Sequence, residues 1–153
     1  MQAVDTAKVL TDQCVEDVKR SLKTIRDSHF DLDRALNHLI ERHRQDKSLK
    51  IQALIRLPKL SLQISHNVYC LLKEALINIE KHSQATFIRL HLQARETEII
   101  LEIEDNGIGF DAQQFHSGYG IKGMKERVQL HNGRITIDSV CDRGTKIHVT
   151  IPR

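Results

Sequence analysis

Tryptophan is absent from the 153 residues, and Phe and Tyr bring the aromatics to only 4%. A core without large rings has to be packed from aliphatic side chains. Three cysteines, Cys14, Cys70 and Cys141, are odd in number and far apart. With no CxxC spacing among them, a zinc site is not expected. Cys14 and Cys70 fall in apolar helical patterns and read as small buried hydrophobes, which fits a reducing cytoplasm. No apolar run approaches the roughly 20 residues that span a bilayer. No secretory signal is visible, so any membrane anchor of a parent protein is expected outside this segment. The formal charge of +3 is too small to argue for nucleic acid or a membrane surface, and the basic residues are spread along the chain. What remains, 40% apolar and 28% charged residues, is ordinary for one soluble domain.

The first 27 residues carry Val4, Ala7, Leu10, Cys14, Val18, Leu22 and Ile25 at steps of three or four. This narrow stripe predicts a helix suited to a coiled-coil or bundle seam. After a break near Ser28, Asp31 is placed to cap a second helix carrying Leu32, Ala35, Leu36, Leu39 and Ile40 on one face. Lys50 to Ile55 reads as a strand ended by Leu57-Pro58. A long helix is expected from Leu62 to His82, then strands over 86–94 and 98–104. A loop with five glycines covers Asn106 to Gly123. A helix over 121–130, stopped by Asn132-Gly133, and strands over 134–140 and 145–151 complete the chain. Paired strands separated by helices predict an α+β fold, helices on one face of a mixed sheet.

On the long helix, Val68, Leu71, Leu72, Ala75, Leu76 and Ile79 form the core face. Glu74, Asn78 and Lys81 share an arc of roughly 60° at 100° per residue, with His82 at its edge. The arc abuts the apolar stripe, so its side chains belong at the rim of the core. An Asn carbonyl oxygen suits magnesium, a Lys neutralises phosphate, and a Glu orients a water or nucleophile. An ordinary exposed face with one Glu-Lys pair is the competing reading of this helix alone.

Asp105-Asn106-Gly107-Ile108-Gly109 directly follows a strand, where Asp105 could accept from a buried amine such as that of adenine. Its likeness to a calcium loop fails, because position twelve is Gln113 and a strand precedes it. Gly118-Tyr119-Gly120-Ile121-Lys122-Gly123 has the GxGxxG spacing and opens a helix, where backbone N–H groups suit phosphate. A dinucleotide fold would need a strand just before it, and Phe110 to Ser117 is a polar loop. Arg143-Gly144-Thr145 opens the last strand as a hairpin turn.

Taken in order, Glu74-x-x-x-Asn78-x-x-Lys81-His82, Asp105-x-Gly107-x-Gly109, Gly118-x-Gly120-x-x-Gly123-Met124 and Gly144-Thr145 resemble the N box and glycine boxes of the histidine kinase ATP-binding domain. That domain belongs to the superfamily shared with DNA gyrase, the ninety-kilodalton heat-shock chaperone and mismatch-repair ATPases. The resemblance covers about residues 31–153. The strings KEALINIEKH and GYGIKGMKERV most resemble the nitrate-sensor and desaturase-sensor subfamily. It implies a two-layer Bergerat-type fold of about five strands, with a remnant dimerisation segment at 1–28 and the catalytic domain at 29–153. It also implies ATP and Mg²⁺ as cofactors. Asn78 would hold Mg²⁺, Glu74 would polarise water or the nucleophile, and Lys81 and His82 would lie near phosphate. Asp105 would take the adenine amine, Gly107 and Gly109 would frame the base, and Thr145 would reach it through water. Gly118, Gly120, Ile121 and Gly123 would shape the lid and its phosphate-binding helix start. Glu80 and Ser83 depart from the family's usual small or apolar residues, and Glu80 is placed to tune charge near the phosphates.

In this family the phosphorylated histidine is followed by Asp or Glu, and none of the nine histidines here is. The expected function is the donor half of a phosphotransfer, passing the γ-phosphoryl group to a histidine on another helix and then to a response regulator. Binding of Mg-ATP without autophosphorylation is expected of this segment. The implied assembly is a homodimer through the N-terminal helix region, in the cytoplasm, with no nucleic acid or direct membrane contact. An ATP-driven dimerisation switch of the same superfamily and a nucleotide-binding regulator without kinase activity are the alternatives.

Overall fold

The computed structural model describes residues 30–45, 48–111 and 119–153. The helix and dimerisation segment expected before residue 29, Cys14 and Gly118 lie outside these residues. Helix α1 (Leu32–Arg44) starts directly after Asp31 and buries Leu32, Leu36, Leu39 and Ile40, the stripe a 3.6-residue period lays on one face. Strand β1 (Lys50–Arg56) stops before Leu57-Pro58. Helix α2 (Leu62–His82) is capped at its start by Ser61, whose Oγ accepts from the Ile64 N–H. At its end Ser83 donates to the Ile79 carbonyl through both its backbone N–H, at 3.0 Å, and its Oγ, at 2.8 Å. These bonds satisfy a carbonyl that the helix itself leaves open. Strands β2 (Phe87–Ala94) and β3 (Glu98–Asp105) follow, then α3 (Tyr119–Gln129), β4 (Arg134–Ser139) and β5 (Thr145–Pro152).

Helix α3 begins two residues earlier than expected, so Gly120 lies inside the helix rather than ahead of it. A helical glycine costs only about 1 kcal/mol, which packing readily overrides. Cys70, expected as a buried hydrophobe, is half-buried, with its Sγ 3.7 Å from Nε2 of His66 one turn earlier. It sits beside the core stripe of α2 rather than within it.

The five strands form one mixed sheet in the order β1-β2-β3-β5-β4. Only β1 and β2 are parallel, joined through α2; every other pair is antiparallel. The side-chain period of two then sorts the faces. One face aligns Ile88, Leu90 and Leu92 with Ile99, Leu101 and Ile103 and with Ile147, Val149 and Ile151, and all nine are buried. Leu71, Leu72 and Leu76 of α2 and Met124 and Val128 of α3 are buried with them. The opposite face carries polar pairs such as Arg89–Glu104 at 3.3 Å, about half exposed and worth at most about 1 kcal/mol. Stability therefore rests on the aliphatic layer between sheet and helices, as the scarcity of aromatics requires. Among the described residues no helix is long and apolar enough to cross a membrane.

Leu90, fully buried on a central strand, provides a direct check. Leu90→Ala is expected to lower stability by about 2–5 kcal/mol in urea denaturation, the usual range for a deep aliphatic truncation.

Candidate functional site

The buried face of the sheet changes chemistry at one end. Along β3 the inward row runs Ile99, Leu101, Ile103 and then Asp105. Register places Thr145 beside Asp105, and Ser139 beside Thr145. The last rung of an aliphatic layer is thus a carboxylate and two hydroxyls. Asp105 is only 5% exposed. Burial pushes its carboxyl above the ordinary carboxylate range and neighbouring Glu104 adds to this, while the Gly107 and Thr145 backbone N–H groups hold it back. The Gly107 N–H donates to Oδ1 at 2.8 Å.

Between this rung, α2 and α3 lies a cavity of about 400 Å³. Its walls are aliphatic or aromatic: Ala75 and Ile79 from α2, Met124 and Ile121 from α3, Ile137 and Ile147 from the sheet, and Phe110 and Tyr119 at the loop ends. Polar groups enter at separate places: Asp105 and Thr145 at the sheet, Asn78, His82 and Ser83 along α2. A concave apolar space with few convergent polar groups is the usual form of a small-molecule site.

Helical geometry explains which residues of the polar arc reach it. Counting about 100° per residue from Asn78, His82, Ala75 and Ile79 lie at about +40°, +60° and +100°. All three line the cavity. Glu74 and Lys81 lie on the other side, at about −40° and −60°, and neither lines it. Lys81 is exposed. Glu74 is brought to the rim by α3 instead: a Cβ on Gly120 would collide with Oε1 of Glu74 and lie 3.3 Å from Oδ1 of Asn78. The bare α-carbon of Gly120 lets the two helices close around these two oxygens. The Nδ2 of Asn78 is buried with no hydrogen-bond partner, a costly state for an amide that a ligand could relieve.

The first glycine motif serves the protein as much as the cavity. Gly109 lines the cavity with φ of 57°, where its missing Cβ avoids the Val140 carbonyl. Gly107 instead packs against Ser83, and the Ile108 N–H donates to the Ser83 carbonyl at 2.7 Å. Asn106 Oδ1 accepts from the Thr86 and Phe87 N–H groups, both at 2.9 Å. That side-chain oxygen is engaged within the protein, which argues against a calcium loop. Ile121 and Thr145 line the cavity, while Gly123 is exposed with open space around it. Glu80 does not line the cavity. It reaches back to α1, with its Oε2 3.4 Å from Nε2 of buried His43. Lying one residue after Ile79, Glu80 leaves α2 on the flank turned toward α1.

Sequence reasoning missed Ser139, Phe110 and Tyr119. Nothing in the local pattern of Ser139 marks it, because strand register brings it in; Phe110 and Tyr119 adjoin the glycines of the two motifs, but the glycine spacing gives them no role of their own.

Comparison with known proteins fits this architecture. A family model described as Histidine kinase-, DNA gyrase B-, and HSP90-like ATPase matches residues 63–153. The oxygen sensor histidine kinase NreB of Staphylococcus carnosus is 38% identical over 92 residues, 59% of this chain and 26% of that protein. The sensor histidine kinase DesK of Bacillus subtilis is 38% identical over 82 residues, 53% of this chain and 22% of that protein. The chain thus spans about a quarter of the length of these curated relatives. The histidine kinase domain of the Erythrobacter litoralis EL346 blue-light activated histidine kinase shares the fold, with a TM-score of 0.67 at 16% identity. The likeness covers 79% of this chain and 58% of that one. With the cavity, its polar rung and its two facing helices all built from the matched segment, the chain belongs to the histidine kinase-, DNA gyrase B- and HSP90-like ATPase family.

Proposed function

We propose that this chain is the ATP-binding catalytic part of a two-component sensor histidine kinase. The observation that carries the reading is Asp105, a carboxylate buried at the closed end of an apolar cavity. An ionised acceptor there calls for a donor delivered on a flat apolar body, and the adenine amine is such a donor. Thr145 stands beside it for the water-mediated contact. Asn78 and His82 on α2 and the start of α3 are assigned to the phosphates, with Lys81 and Gly118 as further contacts. Gly107, Gly109, Gly120 and Gly123 keep the surrounding backbone close or adaptable.

The residues present fit magnesium. Asn78 and Glu74 bring oxygens together at Gly120, and a hard cation that keeps several waters needs few protein ligands. In this assignment Asn78 holds the ion and Glu74 polarises the incoming nucleophile. The ion, when bound, neutralises charge on the phosphate oxygens. In the transfer, the bond between the γ-phosphorus and the β–γ bridging oxygen breaks and a phosphorus–nitrogen bond to a histidine forms. ADP leaves and the imidazole proton is lost. The chain's contribution is to hold the nucleotide in line and exclude water. The acceptor belongs to a dimerisation helix, with residues 1–28 as part of that region. A response regulator is the onward partner and the cytoplasm the setting.

Asp105→Asn is expected to weaken ATP binding by about 10–100-fold by calorimetry, the loss of one charge-assisted hydrogen bond. The same change removes a buried charge, so the melting temperature of the ligand-free protein at pH 7 is expected to rise.

The pH dependence has two opposite signs. Unfolded Asp105 ionises near 3.8 and the native group higher. Its contribution to stability is therefore full below 3.8 and is lost as the pH rises through the native value. ATP binding needs the ionised form. Affinity is expected to fall on acidification through that same raised native value, above the pH at which an exposed Asp would titrate.

Asn78→Ala is expected to lower Mg-dependent phosphoryl transfer to a supplied dimerisation helix bearing a His-Asp or His-Glu pair by at least about 100-fold, as removing one preorganised electrostatic group does. Acid-labile label on that helix is the readout, and unchanged transfer would remove Asn78 from its role.

A further inference from the structure

We infer that the free edge of strand β1 is a docking site, where an extended segment of a partner protein with alternating acidic and aliphatic side chains adds to the sheet as a further strand. No β1 residue lines the cavity, so this site is separate from it and does not rest on the nucleotide reading.

The backbone of β1 supplies the first half of the case. β1 ends the sheet order, and no described strand pairs with its outer edge. The Lys50 N–H donates to the Thr86 carbonyl at 2.9 Å. In a parallel pair alternate residues turn their backbone groups to the same side. Lys50, Gln52, Leu54 and Arg56 therefore bond β2, while Ile51, Ala53 and Ile55 point outward. The Ile51 carbonyl is met there by Nη2 of Arg44 at 3.0 Å. Beyond it, Ala53 and Ile55 each offer an N–H and a C=O to the open edge. The register with β2 runs unbroken from Lys50 to Arg56, without the bulge that blunts many exposed edges. Apolar side chains follow the same stretch. Leu54 is 44% exposed on the outward face, and Ala53 and Ile55 are only half-buried on the other.

Charge decides which strand fits. Lys50 and Arg56 bracket the open stretch, both exposed, and Lys59 follows them. Among the described residues neither Lys50 nor Arg56 is in an ion pair, whereas Arg44 is paired with Glu41 at 2.6 Å and Arg89 with Glu104 at 3.3 Å. A second copy adding antiparallel about Ala53 would set Lys50 opposite Arg56 at both ends. Like charges directly opposite oppose pairing, and an acidic strand reverses both terms. The pleat then dictates its pattern. Acidic side chains belong on the face shared with Lys50 and Arg56, aliphatic ones on the face shared with Ala53 and Ile55. The opposite edge strand, β4, carries one charge of each sign, Arg134 and Asp138, and has no such preference. Strand addition takes its affinity from main-chain bonds and its choice of partner from alternate side chains.

Titration of the full chain with a peptide of about nine alternating Glu and Val residues, a little longer than one strand, tests this. Amide exchange at Ala53 and Ile55, followed by NMR, is expected to slow by about tenfold or more at saturation. A Lys-Val peptide of the same length is expected to bind about tenfold more weakly, the swing from two paired to two opposed exposed charges. That preference is expected to shrink at about 1 M salt. Lys50→Glu combined with Arg56→Glu is expected to reverse it. Ala53→Pro removes an outward N–H without breaking the β1–β2 ladder and is expected to weaken the Glu-Val peptide by about tenfold. N-methylation of the peptide amides that face β1 is expected to do the same with the protein unaltered. If neither peptide binds, the charged ends only shield the edge and the inference fails. Equal binding of the two peptides, or slowed exchange that spares Ala53 and Ile55, also overturns it. Self-association of the unaltered chain that Ala53→Pro abolishes gives the edge to a second copy and overturns it too. No readout involves ATP, so the nucleotide reading stands or falls separately.

Discussion

A carboxylate at the end of an aliphatic row sets the terms for everything around it. Asp105 occupies the position where the alternation of β3 would place another Ile, and among the described strand residues it is the one polar side chain that is buried. Burial resists its ionisation, and two backbone N–H groups compensate in part. The arrangement is stable only because the surrounding backbone is tightly specified. The Gly107 amide must point at Oδ1, and β5 must present the Thr145 amide from the other side. The cost is borne by a large aliphatic layer, in which single side chains such as Leu90 are each worth a few kcal/mol.

That specification comes from three segments that meet beside Asp105. The end of α2 is closed by Ser83, whose hydroxyl takes the place of a further helical donor. The loop after β3 lies on Ser83 through Gly107 and Ile108. The β4–β5 turn packs on the same loop, with Gly109 under the Val140 carbonyl and the Asp142 N–H bonded to the Ile108 carbonyl at 2.6 Å. Glycines that a motif reader assigns to a ligand are thus in part needed for contacts of protein with protein. The two roles are compatible: backbone packed this closely is backbone held still, and a fixed wall orients a small molecule without further entropy loss on binding.

The sequence revealed the layers because periodicity is local. The stripe from Val68 to Ile79 and the alternation in β2, β3 and β5 required no knowledge of what they pack against. Asp105 was legible because it ends a strand before two glycines, and Asn78 because it borders the apolar stripe. What stayed hidden depends on long-range geometry. Whether Glu74 or His82 faces the cavity turns on about 80° of helix rotation relative to a partner helix. Glu80 looked like a neighbour of the phosphates until α1 was in place with His43 against it. Ser139 is an ordinary strand-end serine until register sets it beside Thr145.

Register has one more consequence. In β5 the inward set is Thr145, Ile147, Val149 and Ile151, and the outward set begins with Lys146. A slip of one residue against β3 would turn three aliphatic side chains to water and present Lys146 to Asp105 in place of Thr145. The cavity would then be closed by an ion pair of the protein's own making. The chain cannot bury its core in that register, so the force that packs the isoleucines also keeps lysine away from the carboxylate. Folding in this way checks the binding site before any ligand arrives.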